Sequence, residues 1–383
     1  MNLLRRHRTA ALAAALTTAW AFAAAPPPAA AEELRLPVLV PLTGFLSLEG
    51  TSQRNGAELA LREAAGSPTV VWEVSDTATS PEVAVNAFAR ATGADGVVAV
   101  VAPMLGTQML ALVPLADEAD VPLLTVSGTA KITELGSPNV FRFFPGDAVV
   151  KTAQARYAVE QLKATKPAIV YQTTAYGQSG HAALKRVLAD KGVAPVFEEG
   201  IDVKVKDMLP VLSKAQAAGA DVLLLHLHAG STALVIRQAH AMGIGMPIVA
   251  GSAMHQPSTA ALLGPAELKG VCAETGSSPV SGGSAGMDDF LERYRAAFGS
   301  EPDAFALGQY DGVKMALAAI ADGARDAASL RAWLTTHAHE GLAMTYRSDG
   351  KGNMAHDAAI ICYDGTSRTP LVAARYENVD GVK

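Results

Sequence analysis

The chain has 383 residues, half of them apolar, with 18% charged and 5% aromatic residues and a formal net charge of −6. That length exceeds the usual size of one core, so two lobes are expected. The acidic balance, with no long basic run beyond the N-terminus, argues against a nucleic-acid partner.

The first 31 residues read as an export signal rather than as part of the fold. Arg5, Arg6 and Arg8 precede the alanine-rich apolar stretch Ala10–Ala25, then Pro26–Pro28 and Ala29-Ala30-Ala31, which meets the small-residue rule for cleavage after Ala31. The alternative, a membrane anchor, is poorly served by so short and weakly apolar a segment. Removal takes away three arginines and no acid, which moves the formal charge to −9. The expected location is the periplasm.

From there apolar, strand-like runs alternate with amphipathic helical ones. Strands are expected at Leu34–Val40, Val70–Val74, Val97–Ala102, Leu123–Val126, Ala168–Tyr171, Val222–Leu227 and Pro247–Ala250. Helices are expected at Asn55–Ala65, Pro81–Thr92, Thr107–Ala119, Gly180–Asp190 and Thr232–Met242. Strands apolar throughout and separated by helices imply parallel sheets covered on both faces, an α/β fold. Ala94-Asp95 before VVAVVAPMLGT and Ala220-Asp221 before VLLLHLHAGST repeat one construction: an acidic start, a strand, a turn of glycine and hydroxyls, then a helix. Asn139–Phe144 with Pro145-Gly146-Asp147 reads as a crossing between lobes. The rhythm then gives way to helices (Met287–Phe298, Ala304–Asp322, Ala328–His337) and two final strands, as a chain returning to an earlier lobe would show.

Ligands of open parallel sheets bind beyond the carboxyl ends of the strands, often at helix N-termini. Two successive strand ends here are small and hydroxylated: Gly106-Thr107 after the third strand, and Ser127-Gly128-Thr129 after the fourth. Small residues let backbone amides approach a ligand, and a helix dipole favours an anion there. A single such turn would be read as a helix cap; two in adjacent units suggest a carboxylate site. In the second half, Tyr176 offers an aromatic wall, His226 and His228 share a face of a strand end, and Ser252 and His255 follow the next strand. Three histidines invite a metal, but no Cys, Asp or Glu completes a ligand spacing, so hydrogen-bonding or structural histidines are expected, without metal or cofactor. His337, His339 and Glu340 lack the HExxH spacing and read as a solvated helix end. Gly177-Gln178-Ser179-Gly180 falls one residue short of GxSxG, no phosphate-binding loop is present, and catalysis is not expected. Cys272 and Cys362 lie in apolar, strand-like runs, and either a disulfide or two buried thiols fits them in an exported chain.

The segments PLTGFLSLEGTSQRNGAELALREA, VAPMLGTQ, PLLTVSGTAKITELG, PNVFRFFPGD, IVYQTTAYGQSG and STALVIRQAHAMG, in this order and spacing, resemble the leucine/isoleucine/valine-binding family of periplasmic solute-binding proteins. The resemblance implies the type I fold: two Rossmann-like lobes with parallel sheets, three hinge crossings, and ligand in the interlobe cleft. It implies 32–146 plus 276–354 as one lobe and 147–275 plus 355–383 as the other. It further implies a monomer that closes on a small carboxylate and delivers it to the permease of an ABC transporter. In that family pattern Ser127, Gly128 and Thr129 hold the carboxylate, and Thr107 substitutes for a serine where Met104 stands. Tyr176 and His228 occupy aromatic positions, and Glu49 replaces an aromatic in a first-lobe loop. Ser252 stands near the place where amino-acid binders carry an acid for the ammonium. Glu49 then supplies that charge, or the ligand has no ammonium, as in the aromatic carboxylates and amides that relatives take. A sensory ligand-presenting protein and an exported hydrolase or amidase are the rival readings.

Overall fold

A computed structural model describes residues 33–64, 68–282 and 284–382; the expected export signal lies outside them. The first sheet has five parallel strands in the order Val74–Asp76, Val38–Val40, Val100–Val101, Leu123–Thr125, Val140–Arg142. The second has seven, in the order Leu371–Tyr376, Ala358–Cys362, Val271–Thr275, Ile248–Ala250, Val222–His226, Pro167–Gln172, Phe197–Ile201. Its last five run parallel, and the two C-terminal strands join antiparallel. The central strands are short and buried on both faces because helices cover both sides, whereas the edge strands Phe197–Ile201 and Leu371–Tyr376 are partly exposed.

Each parallel set has its second strand outside its first and its third on the other side. Strand order therefore reverses between Val38–Val40 and Val100–Val101 in one lobe, and between Pro167–Gln172 and Val222–His226 in the other. Such reversals open a crevice at the carboxyl ends of the strands. The repeated sequence construction falls on equivalent strands: Val100–Val101 and Val222–His226 each occupy third place in chain order. The chain leaves the first sheet after Arg142 and enters helix Asp147–Arg156, which continues through Tyr157–Gln161. It returns after Thr275 to the helices Ala285–Phe298, Ala304–Ala321 and Ala327–Thr336. It runs beside the first sheet once more at Asn353, which bridges Arg142, and then crosses to Ala358–Cys362.

Several boundaries differ from the expected ones. Leu34–Val40 is split by Leu36-Pro37, since proline cannot donate to a ladder, and Val70–Val74 is likewise two short strands. Val97–Ala102 narrows to Val100–Val101. The first helix spans Ser47–Arg62, two turns longer at its start than expected. Val140–Arg142 is the edge strand of the first sheet, so the crossing begins only at Phe143. His339-Glu340 is not a helix end: it pairs antiparallel with Thr345–Tyr346, while His337 stacks on Trp333 at the end of Ala327–Thr336. Cys272 and Cys362 face each other across adjacent antiparallel strands and form a disulfide.

Candidate functional site

The two strand-order reversals face one another, and the lobes meet over a cavity of about 30 Å3. Its polar lining comes from Glu49, Gly128, Tyr176, His228 and Ser252. Its apolar lining includes Leu46, Met104, Leu105, Val126, Phe144 and Phe305. Six of the nine ligand-binding candidates, Glu49, Met104, Gly128, Tyr176, His228 and Ser252, thus share one space. Ser127, Thr129 and Thr107 flank it without lining it.

The turn after strand Leu123–Thr125 is organised by a residue the sequence did not single out. The buried Arg142 guanidinium donates through Nη1 to the carbonyls of Ser127 (3.4 Å), Gly128 (3.2 Å) and Thr129 (2.9 Å). Its other nitrogens reach Thr133 Oγ1 and Asn353 Oδ1. Burial pulls its pKa down to about 10, with Asp147 opposing the shift, so it stays charged at neutral pH. With three carbonyls turned toward Arg142, the turn presents its other side. The hydroxyls of Ser127 and Thr129 are buried without a partner. Unpartnered buried hydroxyls are costly unless a ligand completes them. Thr129 packs on the start of helix Gly106–Ala119, where a Cβ on Gly106 would fall 2.0 Å from Thr129 Oγ1. That helix has Leu105 at its N-cap and no side-chain cap, so its N-terminal amides point at the same region.

Glu49 lies not in a loop but in the first turn of helix Ser47–Arg62. Its Oε1 accepts from the Ala229 amide of the opposite lobe at 2.9 Å, and its Oε2 is buried and unpartnered. Burial raises its pKa to about 7, with the Ala229 bond working against the shift. His228 is the N-cap of helix Ala229–Ala241. Its ring lies 5.3 Å from Tyr176 and 5.2 Å from Phe45, and burial lowers its pKa to about 4, leaving it neutral. Tyr176 also packs on His226, whose Nε2 meets the Tyr176 carbonyl at 3.0 Å and lies 3.5 Å from Asp147 Oδ1.

Ser252 has an acid behind it. Glu274, at the end of strand Val271–Thr275, accepts from the Ser252 amide (2.8 Å) and hydroxyl (2.6 Å). Its Oε1 also pairs with the fully buried Lys151 at 2.5 Å. Its charge is therefore spent within the protein. Asp147 sits where the chain enters the second lobe; burial raises its pKa to about 7, with Lys151 opposing. A Cβ on Gly128 would stand 3.0 Å from Asp147 Oδ1 and 3.2 Å from the Tyr176 ring, so any side chain there would press on both second-lobe groups. Among the described residues no cluster of His, Cys, Asp or Glu could hold a metal.

Sequence reasoning missed Arg142, Asp147, Lys151, Glu274, Phe144 and Phe305. Phe144 sits in the quoted PNVFRFFPGD run. Phe305 joins the site from a helix 161 positions beyond Phe144 in sequence, with no local mark of its role.

The family model described as periplasmic binding protein matches residues 33–367. The chain belongs to that family. This binding protein is accordingly a solute-binding protein and not an enzyme. It is 27% identical over 329 residues to a Leu/Ile/Val-binding protein homologue of Brucella melitensis, covering 82% of this chain and 84% of that protein. The leucine binding protein LivK of Thermotoga maritima has a similar structure, with a TM-score of 0.82 at 23% identity over 91% of this chain and 99% of that one. So has a solute binding protein of an ABC transporter from Rhodopseudomonas palustris, solved with 3,4-dihydroxybenzoic acid. Its TM-score is 0.83 at 21% identity over 92% of this chain and 98% of that one. These likenesses establish the two-lobed α/β fold.

Proposed function

We propose that this binding protein is the extracytoplasmic receptor of an ABC importer, exported with cleavage after Ala31, and that it captures a small carboxylate, first of all an amino acid of the branched-chain type. In this reading the lobes are 32–146 plus 276–354 and 147–275 plus 355–383; they close on the ligand, and the closed monomer is what the permease receives. The observation that carries the reading is the Ser127–Thr129 turn: Arg142 holds its carbonyls, while two buried hydroxyls beside an uncapped helix start lack partners. That is what an anion requires of a preorganised site. The apolar wall of Leu46, Met104, Val126 and Phe305 suits an aliphatic side chain. The free Oε2 of Glu49 suits an ammonium, which Glu274, engaged by Lys151, does not.

An aromatic carboxylate is the second reading. It is favoured by the rings of Phe144, Tyr176, His228 and Phe305 around the cavity and by the absence of an uncommitted acid at Ser252. The test strips carried-over ligand by unfolding and refolding, then follows thermal unfolding with leucine, isoleucine, valine, benzoate and 3,4-dihydroxybenzoate. A ligand at one hundred times its Kd stabilises by about 2.7 kcal/mol. Stabilisation by the aliphatic amino acids alone supports the first reading, by benzoates alone the second. No response to any carboxylate removes both. Small-angle scattering at saturation then checks closure, and an unchanged radius of gyration sinks the closing mechanism.

A further inference from the structure

The ligand cavity is not the whole of the space between the lobes. Beyond it lies an outer pocket of about 340 Å3, with Phe45, Val203, Val205, Leu234 and Leu262 as its apolar wall and Lys206 and Arg237 also in its lining. Among the described residues, His228 alone lines both the inner cavity and the outer pocket. We propose that His228 is the partition between these chambers and sets the greatest chain length the inner chamber accepts. This rests on the reading that the ligand carboxylate lies at the Ser127–Thr129 turn.

The ring is built to stay in place. Its backbone is fixed as the N-cap of helix Ala229–Ala241, and its Nε2 lies 3.2 Å from Thr174 Oγ1. Tyr176 backs it from its own lobe, and Phe45 meets it from the first lobe at 5.2 Å. The ring is only 5% exposed, whereas Phe45 is 38% exposed and borders the outer pocket. Burial keeps the imidazole neutral, so it offers an apolar tail an uncharged wall. A chain that outgrows the inner chamber must displace this ring from contacts on both faces, and overpacking a fixed wall is costly. Behind the ring, the valines and leucines of the outer pocket would accept the continuation of an apolar chain. The partition therefore limits length, while the space beyond it offers a longer chain apolar contact on one wall, beside the cations Lys206 and Arg237.

The experiment is calorimetric titration of the mature protein with two probe series: straight-chain α-amino acids from alanine to 2-aminodecanoate, and straight-chain alkanoates from butanoate to decanoate. In the unmodified protein affinity rises about fourfold per methylene while burial continues. It then falls about tenfold or more at the first member that reaches the ring. In His228→Ala the fall disappears and the rise continues into longer members. His228→Phe retains the wall and the fall. Phe45→Ala opens the outer pocket to solvent and leaves the length of the fall where it was, which separates partition from general loosening. A fall at the same length in His228→Ala and the unmodified protein overturns the partition while leaving the carboxylate reading intact. An absence of binding by every protein to both series overturns the reading of an aliphatic carboxylate, and the partition with it; benzoate, titrated alongside, then decides whether the carboxylate site itself stands.

Discussion

Glu49 makes ligand chemistry readable as a pH dependence. In solvent its carboxyl titrates near the ordinary 4.5; in the closed cleft burial raises this to about 7. A carboxyl whose pKa is raised on closing favours the closed state fully below the lower value, and that contribution is lost as pH rises through the upper one. Closing on a carboxylate without an amine leaves Glu49 with no cation, so binding takes up a proton: about half a proton per site at pH 7, and an affinity about seventyfold lower at pH 8 than at pH 5, or about 2.5 kcal/mol. A ligand bearing an ammonium against Oε2 keeps Glu49 ionised, and its profile over this range is nearly flat. Glu49→Gln should flatten the first profile and weaken the second kind of ligand by about 3 kcal/mol or more, the cost of stranding a buried charge. Titration calorimetry at four pH values, in two buffers of different ionisation enthalpy, reads both affinity and proton uptake. Asp147 also titrates near 7 in this state, so the decisive quantity is the difference between the unmodified protein and Glu49→Gln. An amine-free ligand whose pH slope is the same in both would refute the reasoning.

Removing the Arg142 guanidinium strands the buried carbonyls of Ser127 and Thr129, while Gly128 keeps the Asp147 amide, so Arg142→Met should cost about 2–5 kcal/mol in urea denaturation and lower ligand affinity as well. Arg142→Lys should recover only part of each, since one ammonium cannot reproduce the planar fork. Lys151→Met leaves Glu274 charged and unpaired in the interior and should cost about 3–5 kcal/mol. Lys151→Met with Glu274→Gln should recover most of that, and additive costs would mean the pair is not coupled. The Cys272–Cys362 bridge spans a sequence separation of 90, and the chain-entropy model assigns it about 4–5 kcal/mol. Replacing both cysteines by alanine should lower the denaturation midpoint by up to that amount and leave ligand affinity unchanged, as neither residue lines the cavity.

The fold was legible where periodicity and capping agree. Helix Pro81–Thr92 has the bounds expected of it because Ser80 caps it and proline opens it. Helix Ser47–Arg62 was read too short because its first turns bury polar groups: Ser52 bonds Asp303, Gln53 bonds Gln309 and the Ala102 carbonyl, and Asn55 bonds Tyr294. Hydropathy treats such residues as solvent-facing, which hides the start of the helix and with it the helical setting of Glu49. Strand Phe197–Ile201 escaped notice for a related reason: as an edge strand it keeps Glu198 and Glu199 partly in solvent, where they pair with Lys185 and Lys214. In the site, the Ser127–Thr129 turn announced itself by composition. Arg142 did not, because an arginine in an apolar strand says nothing about the carbonyls it will meet after the sheet forms. Glu274 was hidden in the same way: the acid missing at Ser252 is one strand away in space and twenty-two positions away in sequence.

The contacts that join the lobes share one form. Glu49 of the first lobe caps the amide of Ala229 at the start of a second-lobe helix. Conversely, His255 Nε2 of the second lobe accepts from the Ala304 amide at the start of helix Ala304–Ala321, at 3.0 Å. Ser179 Oγ likewise accepts from the Ala130 amide at 2.8 Å, and Gln256 donates to Asp303, the N-cap of the same first-lobe helix. Opening hands each of these groups to water instead of leaving it unpaired, so each bond contributes only about 0.5–1.5 kcal/mol to closure. Fixing two lobes against each other offsets much of that sum. A cleft sealed by exchangeable helix caps is therefore close to balanced between open and closed. If the ligand is the proposed carboxylate, the apolar surface and the anion it would bring to the Ser127–Thr129 turn would be enough to decide which state prevails.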